Sequence, residues 1–71
     1  MITYDRLWVT MKKKGFTQYT LIKDYNFSRG QIFRLKHNHN VNTHTLNIIC
    51  NILDCKIEEI IEFTKDENII Y

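Results

Sequence analysis

Among the side chains of types that hold metals or attack electrophiles are His37, His39, Cys50 and Cys55. Two imidazoles and two thiols match a zinc set in composition. The interval between the cysteines is not read as that of a finger or knuckle, and Cys50 falls on an apolar helical stripe, so both are expected to be reduced packing residues. A Cys–His nucleophile pair fails on the same ground, and nothing marks an oxyanion hole. With only two glycines there is no phosphate-cradling loop. The expectation is therefore no catalytic residue, no metal and no cofactor. A different chemistry belongs to Arg29 and Arg34. Guanidinium groups donate two parallel hydrogen bonds to a guanine edge or to a phosphate, and two of them on one short helix would make a polyanion-recognising face.

The stretch that must position them is Thr17 to His37, TQYTLIKDYNFSRGQIFRLKH. Buried helical positions recur every three or four residues, so Leu21, Ile22 and Tyr25 read as one inward stripe and Ile32 with Leu35 as the next. Asn26 lies between them and tolerates the left-handed backbone that a sharp interhelical turn needs. Phe27 is expected as a buried turn residue. Thr17 and Ser28 are placed to cap the two helices. A second helix that turns Ile32 and Leu35 inward turns Arg29, Gly30, Phe33, Arg34 and His37 outward, with Gln31 at the boundary. Its length of about 14 Å suits a major groove about 12 Å wide.

Charge is divided along the chain. Residues 1–40 carry eight lysines and arginines against two aspartates, and residues 41–71 carry two lysines against six acidic residues. A polyanion is drawn to the first half and turned away from the second.

The remaining elements follow from periodicity. Tyr4, Leu7, Trp8 and Met11 predict a helix from about residue 4 to 14, with Thr3 as its cap, Gly15 as its left-handed terminator and Phe16 as the apolar residue that follows. KHNHNVN, residues 36–42, is a polar loop. Asn42 is a cap for a fourth helix with Leu46, Ile49, Cys50 and Leu53 inward, and Asp54 ends it. A fifth helix is expected from about Ile57 to Phe63, with Ile57, Ile60 and Ile61 on its apolar side. The fold class is thus an all-α, compact five-helix bundle, with one domain over residues 1–66 and a tail over 67–71 that ends in Ile69, Ile70 and Tyr71. No apolar run approaches the ~20 residues of a membrane span, and no signal peptide is read. An intracellular, soluble protein is expected.

The pattern T-Q-x-x-L followed by S-R-x-x-I-x-R-L (Thr17, Gln18, Leu21, Ser28, Arg29, Ile32, Arg34, Leu35) resembles the helix-turn-helix of the Cro/phage-repressor family of transcription regulators. The run from Thr43 to Glu62 resembles the rest of that domain in a small single-domain subgroup. The resemblance covers nearly the whole chain. It implies a lambda-repressor-like domain that reads double-stranded DNA in the major groove, most simply as a cytoplasmic, nucleoid-associated repressor. It also implies a homodimer, closed by the C-terminal helix and tail, on a palindromic operator with half-sites about one DNA turn apart. Base contacts fall on Arg29, Gly30 and Arg34, with Phe33 against thymine methyls. Phosphate contacts fall on Gln18, Ser28, Gln31, Lys36, His37, Asn38 and Asn40. Two positions depart from the family pattern: Ile22 stands where the helices usually pack through a small residue, and Gly30 stands at a base-reading position without a side chain. Two other readings stay open on sequence. The exposed helical face could serve a protein partner, as in an antitoxin or accessory subunit, or the basic half could bind nucleic acid without sequence preference.

Overall fold

The computed structural model describes residues 1–67. Its first helix, α1, spans Asp5–Lys13 and turns Leu7 and Met11 inward. It stops as anticipated. Gly15 takes φ +78°, its N–H bonds Lys12 O at 3.2 Å, and Phe16 N–H reaches back to Met11 O at 2.9 Å. This pair of bonds is the glycine-terminated helix end that satisfies the last carbonyls. Thr3 does not cap α1. Tyr4 flanks the helix without a side-chain cap, because Thr3 is drawn into a strand.

Helix α2 covers Gln18–Tyr25, α3 covers Arg29–Lys36 and α4 covers Thr43–Leu53. Asn42 caps α4, its Oδ1 accepting Thr45 N–H at 2.9 Å and Thr45 Oγ1–H at 3.2 Å. That bond lets Thr45 be buried, a position the apolar pattern did not mark. Leu46 and Cys50, expected on the buried stripe beside Ile49 and Leu53, are only half-buried. Asp54 ends α4 with φ 49°.

The fifth helix is not formed. Ile57–Glu59 make one 3-10 turn, after which Glu62–Phe63 form a strand, β2, antiparallel to β1 at Ile2–Thr3. Ile2 faces Phe63 and Thr3 faces Glu62. Two features explain why the turn does not propagate. Its last two carbonyls are bonded by side chains of α1 instead of by later N–H groups: Thr10 Oγ1 donates to Glu59 O at 2.6 Å and Arg6 Nη1 to Glu58 O at 3.0 Å. No side chain caps its start, and Glu59 instead accepts Lys56 N–H at 2.7 Å. Ile57, expected inward, is 43% exposed, while Ile60 is fully buried. The C-terminal helix expected at a subunit contact is therefore absent, and Ile69, Ile70 and Tyr71 lie outside the described residues.

One core serves all the elements. Tyr4, Leu7, Met11, Leu21, Phe27, Ile32, Leu35, Ile49, Leu53 and Ile60 form a single buried cluster. Tyr25 is an exception to its expected stripe, at 43% exposed. The chain reverses at Asn26, and Phe27 enters the core in its place. Tyr25 packs instead beside Phe16, ring centroids 6.3 Å apart. Among the described residues no helix is long and apolar enough to cross a membrane.

Candidate nucleic-acid interface

The geometry of the α2–α3 unit is set by three local devices. At the start of α2, Thr17 Oγ1 accepts Thr20 N–H at 3.1 Å, and Thr20 Oγ1 accepts Thr17 N–H at 3.4 Å. At its end Asn26 adopts φ 60° and ψ 31°, and Phe27 N–H bonds Leu21 O at 3.0 Å. At the start of α3, Ser28 Oγ accepts Gln31 N–H at 3.1 Å while Gln31 Oε1 accepts Ser28 N–H at 2.9 Å. Each reciprocal pair satisfies two backbone donors that a helix start leaves open. Together they fix where α3 begins and how it leaves α2.

On α3, Ile32 and Leu35 are buried, whereas Arg29, Gly30, Phe33, Arg34, Lys36 and His37 are exposed. A groove of about 240 Å³ between α2 and α3 is lined by Gln18, Ile22, Arg29, Ile32, Phe33, Lys36 and His37. The fold thus gathers five of the sequence-derived candidates, Gln18, Arg29, Phe33, Lys36 and His37, around one cleft. Ile22 is half-buried in its floor, at the position where the motif usually has a small residue. Arg34 reaches back along the helix, its Nη1 3.6 Å from where a Cβ on Gly30 would lie.

Asn38 and Asn40 are placed elsewhere. They line a second groove, of about 480 Å³, with Met1, Ile2, Tyr4, Val41, Thr43, Leu46 and Ile61. Asn38 has structural work as well. It takes φ 56°, His39 N–H bonds Arg34 O at 2.8 Å, and Asn38 Oδ1 accepts Tyr4 N–H at 2.8 Å. Its Nδ2 is the side-chain group left for a phosphate. Gln31 is in the same position, with its oxygen engaged and its amide nitrogen able to donate.

Sequence reasoning missed an aromatic group on this side of the domain. Phe33 and His37 pack with centroids 4.2 Å apart, and His39 meets Phe33 edge-on at 5.7 Å. The Phe33–His37 pair was available as an i, i+4 relation on a helix. The return of His39 was not, since it depends on the left-handed turn at Asn38.

The electrostatics are one-sided. The ion pairs among the described residues, Met1 N-terminus–Asp66 and Arg6–Glu62, tie the two ends of the chain together. None engages Arg29, Arg34 or Lys36, so the exposed face of α3 is cationic and no carboxylate among the described residues neutralises it. Cys50 and Cys55 are half-buried and free. Burial first, and then the neighbouring Cys50, push the Cys55 thiol up. A thiol held protonated is a poor nucleophile. Among the described residues no group of three or more His, Cys, Asp or Glu side chains is close enough to hold a metal ion.

Four helices with the second and third joined by a tight left-handed turn, and with a cationic outer face on the third, define a helix-turn-helix protein. The model of the Cro/C1-type HTH DNA-binding domain matches residues 6–66, and the chain belongs to that family. The fold is similar to that of the crystal structure of the transcriptional regulator VanUg, form II. The TM-score is 0.78 and the identity 28%, over 86% of this chain and 81% of that one. No curated protein matches the sequence.

Proposed function

We propose that this domain, residues 1–66, is a sequence-specific regulator of transcription that lays α3 in the major groove of double-stranded DNA and represses by occluding a promoter. The observation that carries this reading is that Arg29 and Arg34, with no carboxylate partner among the described residues, stand on a helix whose start is fixed by the Ser28–Gln31 reciprocal cap. Arginines free of carboxylates retain all their donors for guanine O6 and N7. Arg29 and Arg34 read bases, Gly30 lies against them, and Phe33 meets thymine methyls. Gln18, Ser28, Gln31, Lys36, His37, Asn38 and Asn40 hold the backbone, which positions the helix without reading sequence. The protein acts as a homodimer on a palindromic operator, since one module buries too little to bind tightly alone. It works in the cytoplasm, on the nucleoid, with neither a catalytic step nor a cofactor.

The test is selection of a random duplex library by the purified protein at about 0.15 M salt, followed by titration with Arg29→Ala and Arg34→Ala. A palindromic motif weakened by each variant at particular positions, by about 1–3 kcal/mol, is the expected result. Equal competition by unrelated duplex would reduce the role to non-specific binding. Unchanged DNA affinity in both variants, with loss of a protein partner, would move the face to protein recognition.

A further inference from the structure

The two glycines of this chain stand in different physical situations. Gly15 has φ +78°, a conformation that side-chain-bearing residues rarely adopt, so the helix end of α1 explains it. Gly30 has no such reason. It lies in the first turn of α3 with ordinary helical backbone, where glycine is about 1 kcal/mol worse than alanine. A Cβ there would meet Arg34 Nη1 at 3.6 Å and Ser28 Oγ at 3.8 Å, both ordinary van der Waals distances. Neither the backbone nor the packing of the free protein calls for glycine at this position.

The side chain of Arg34 supplies a reason. Helical side chains lean toward the N-terminus, and four residues of rise amount to about 6 Å. The Arg34 guanidinium therefore lies over the bare backbone at Gly30, one turn back from its own Cα, beside the first turn that carries Arg29. This is an unfavourable place for a cation, because the start of a helix carries partial positive charge. No carboxylate among the described residues pairs with Arg34 to offset it. An acceptor brought from outside would.

We infer that Gly30 is a specificity-positioning residue, whose missing side chain leaves the berth from which Arg34 addresses a guanine edge at the leading turn of α3. The base pair that a side chain at position 30 would otherwise meet is read by Arg34. This rests on α3 reading DNA, and it adds which residue occupies the leading position and why. Leucine at position 30 fills the berth and forces the guanidinium off the helix surface. It also favours the helix more than glycine does, and the site is exposed, so the variant folds.

The experiment measures binding of wild type, Gly30→Leu, Arg34→Ala and the double variant to the selected operator and to its single-base-pair variants, with a thermal melt for each protein. Arg34→Ala relaxes discrimination at one base pair of each half-site by about 5- to 150-fold, the range for a lost bidentate contact. Gly30→Leu is expected to relax the same base pair, the double variant no further, and the base pair that depends on Arg29 not at all. Full discrimination by Gly30→Leu at the Arg34-dependent base pair, or losses that simply multiply in the double variant, would overturn the inference and leave sequence-specific binding standing. A wild-type protein that selects no motif would overturn both.

Discussion

Asn38 Oδ1 accepts the backbone N–H of Tyr4, thirty-four residues earlier in the chain, at 2.8 Å. The bond fastens the end of α3 to the start of α1, and the same residue makes the left-handed turn that ends α3. Alanine at position 38 loses both roles and is expected to cost about 2–3 kcal/mol. Glycine keeps the turn and loses only the acceptor, for about 1 kcal/mol. Urea unfolding midpoints for the two variants give the comparison. An alanine variant no less stable than the glycine one would show that the turn does not need a left-handed residue.

The two glycines should respond to alanine with opposite signs. Gly15→Ala is expected to destabilise by about 1 kcal/mol, through backbone strain alone, since nothing lies within 4 Å of the added Cβ. Gly30→Ala is expected to stabilise by up to about 1 kcal/mol. Thermal melts of the free proteins read both.

Lys36 and Arg34 lie two residues apart on α3 and have separable effects. Lys36→Ala is expected to weaken binding to all duplexes alike and to reduce the salt slope by about 0.9 for one lost phosphate contact. Gln18→Ala, which removes no charge, is expected to weaken binding with the slope unchanged. Titrations at four salt concentrations distinguish a charged phosphate anchor from an uncharged one.

The Cys55 thiol is pushed up, so its proton is held more tightly in the folded protein than in the unfolded chain. The associated stability is complete below the unfolded thiol's pKa of about 8.5 and falls as pH rises past it. In Cys50→Ser protein, alkylation of Cys55 at pH 7.5 is expected to be slower than that of a free thiol and to accelerate on denaturation. The Cys50→Ser change removes the lesser cause and leaves burial. Alkylation at the free-thiol rate in the folded protein would show that burial does not protect it.

Much of this architecture is legible locally. Thr17, Asn26, Ser28, Asn42 and Asp54 act where their side chains say they should, because a cap or a left-handed turn involves residues only a few positions apart. The C-terminal segment is not legible in that way. Ile57, Ile60 and Ile61 have helical spacing, yet Thr10 and Arg6, about fifty residues earlier, bond the carbonyls that a helix would use. The pairing of Glu62–Phe63 with Ile2–Thr3 is likewise a contact between opposite ends of the sequence. For the recognition face, periodicity identifies which residues turn outward but not where a flexible side chain comes to rest. The reach of Arg34 to Gly30 is set by a side-chain rotamer and the closure of His39 on Phe33 by the turn at Asn38, and periodicity encodes neither.

The reciprocal cap at Ser28 and Gln31 has a consequence for hydrogen-bond polarity. Gln31 is the one side chain of the opening turn with an amide oxygen, and that oxygen is taken by Ser28 N–H. Arg29 and Arg34 donate and cannot accept. The leading edge of α3 is thus a face that gives more hydrogen bonds than it takes. A surface rich in lone pairs meets it best, and an exocyclic amino group there has only the remaining lone pairs of Ser28 Oγ and Gln31 Oε1 to meet.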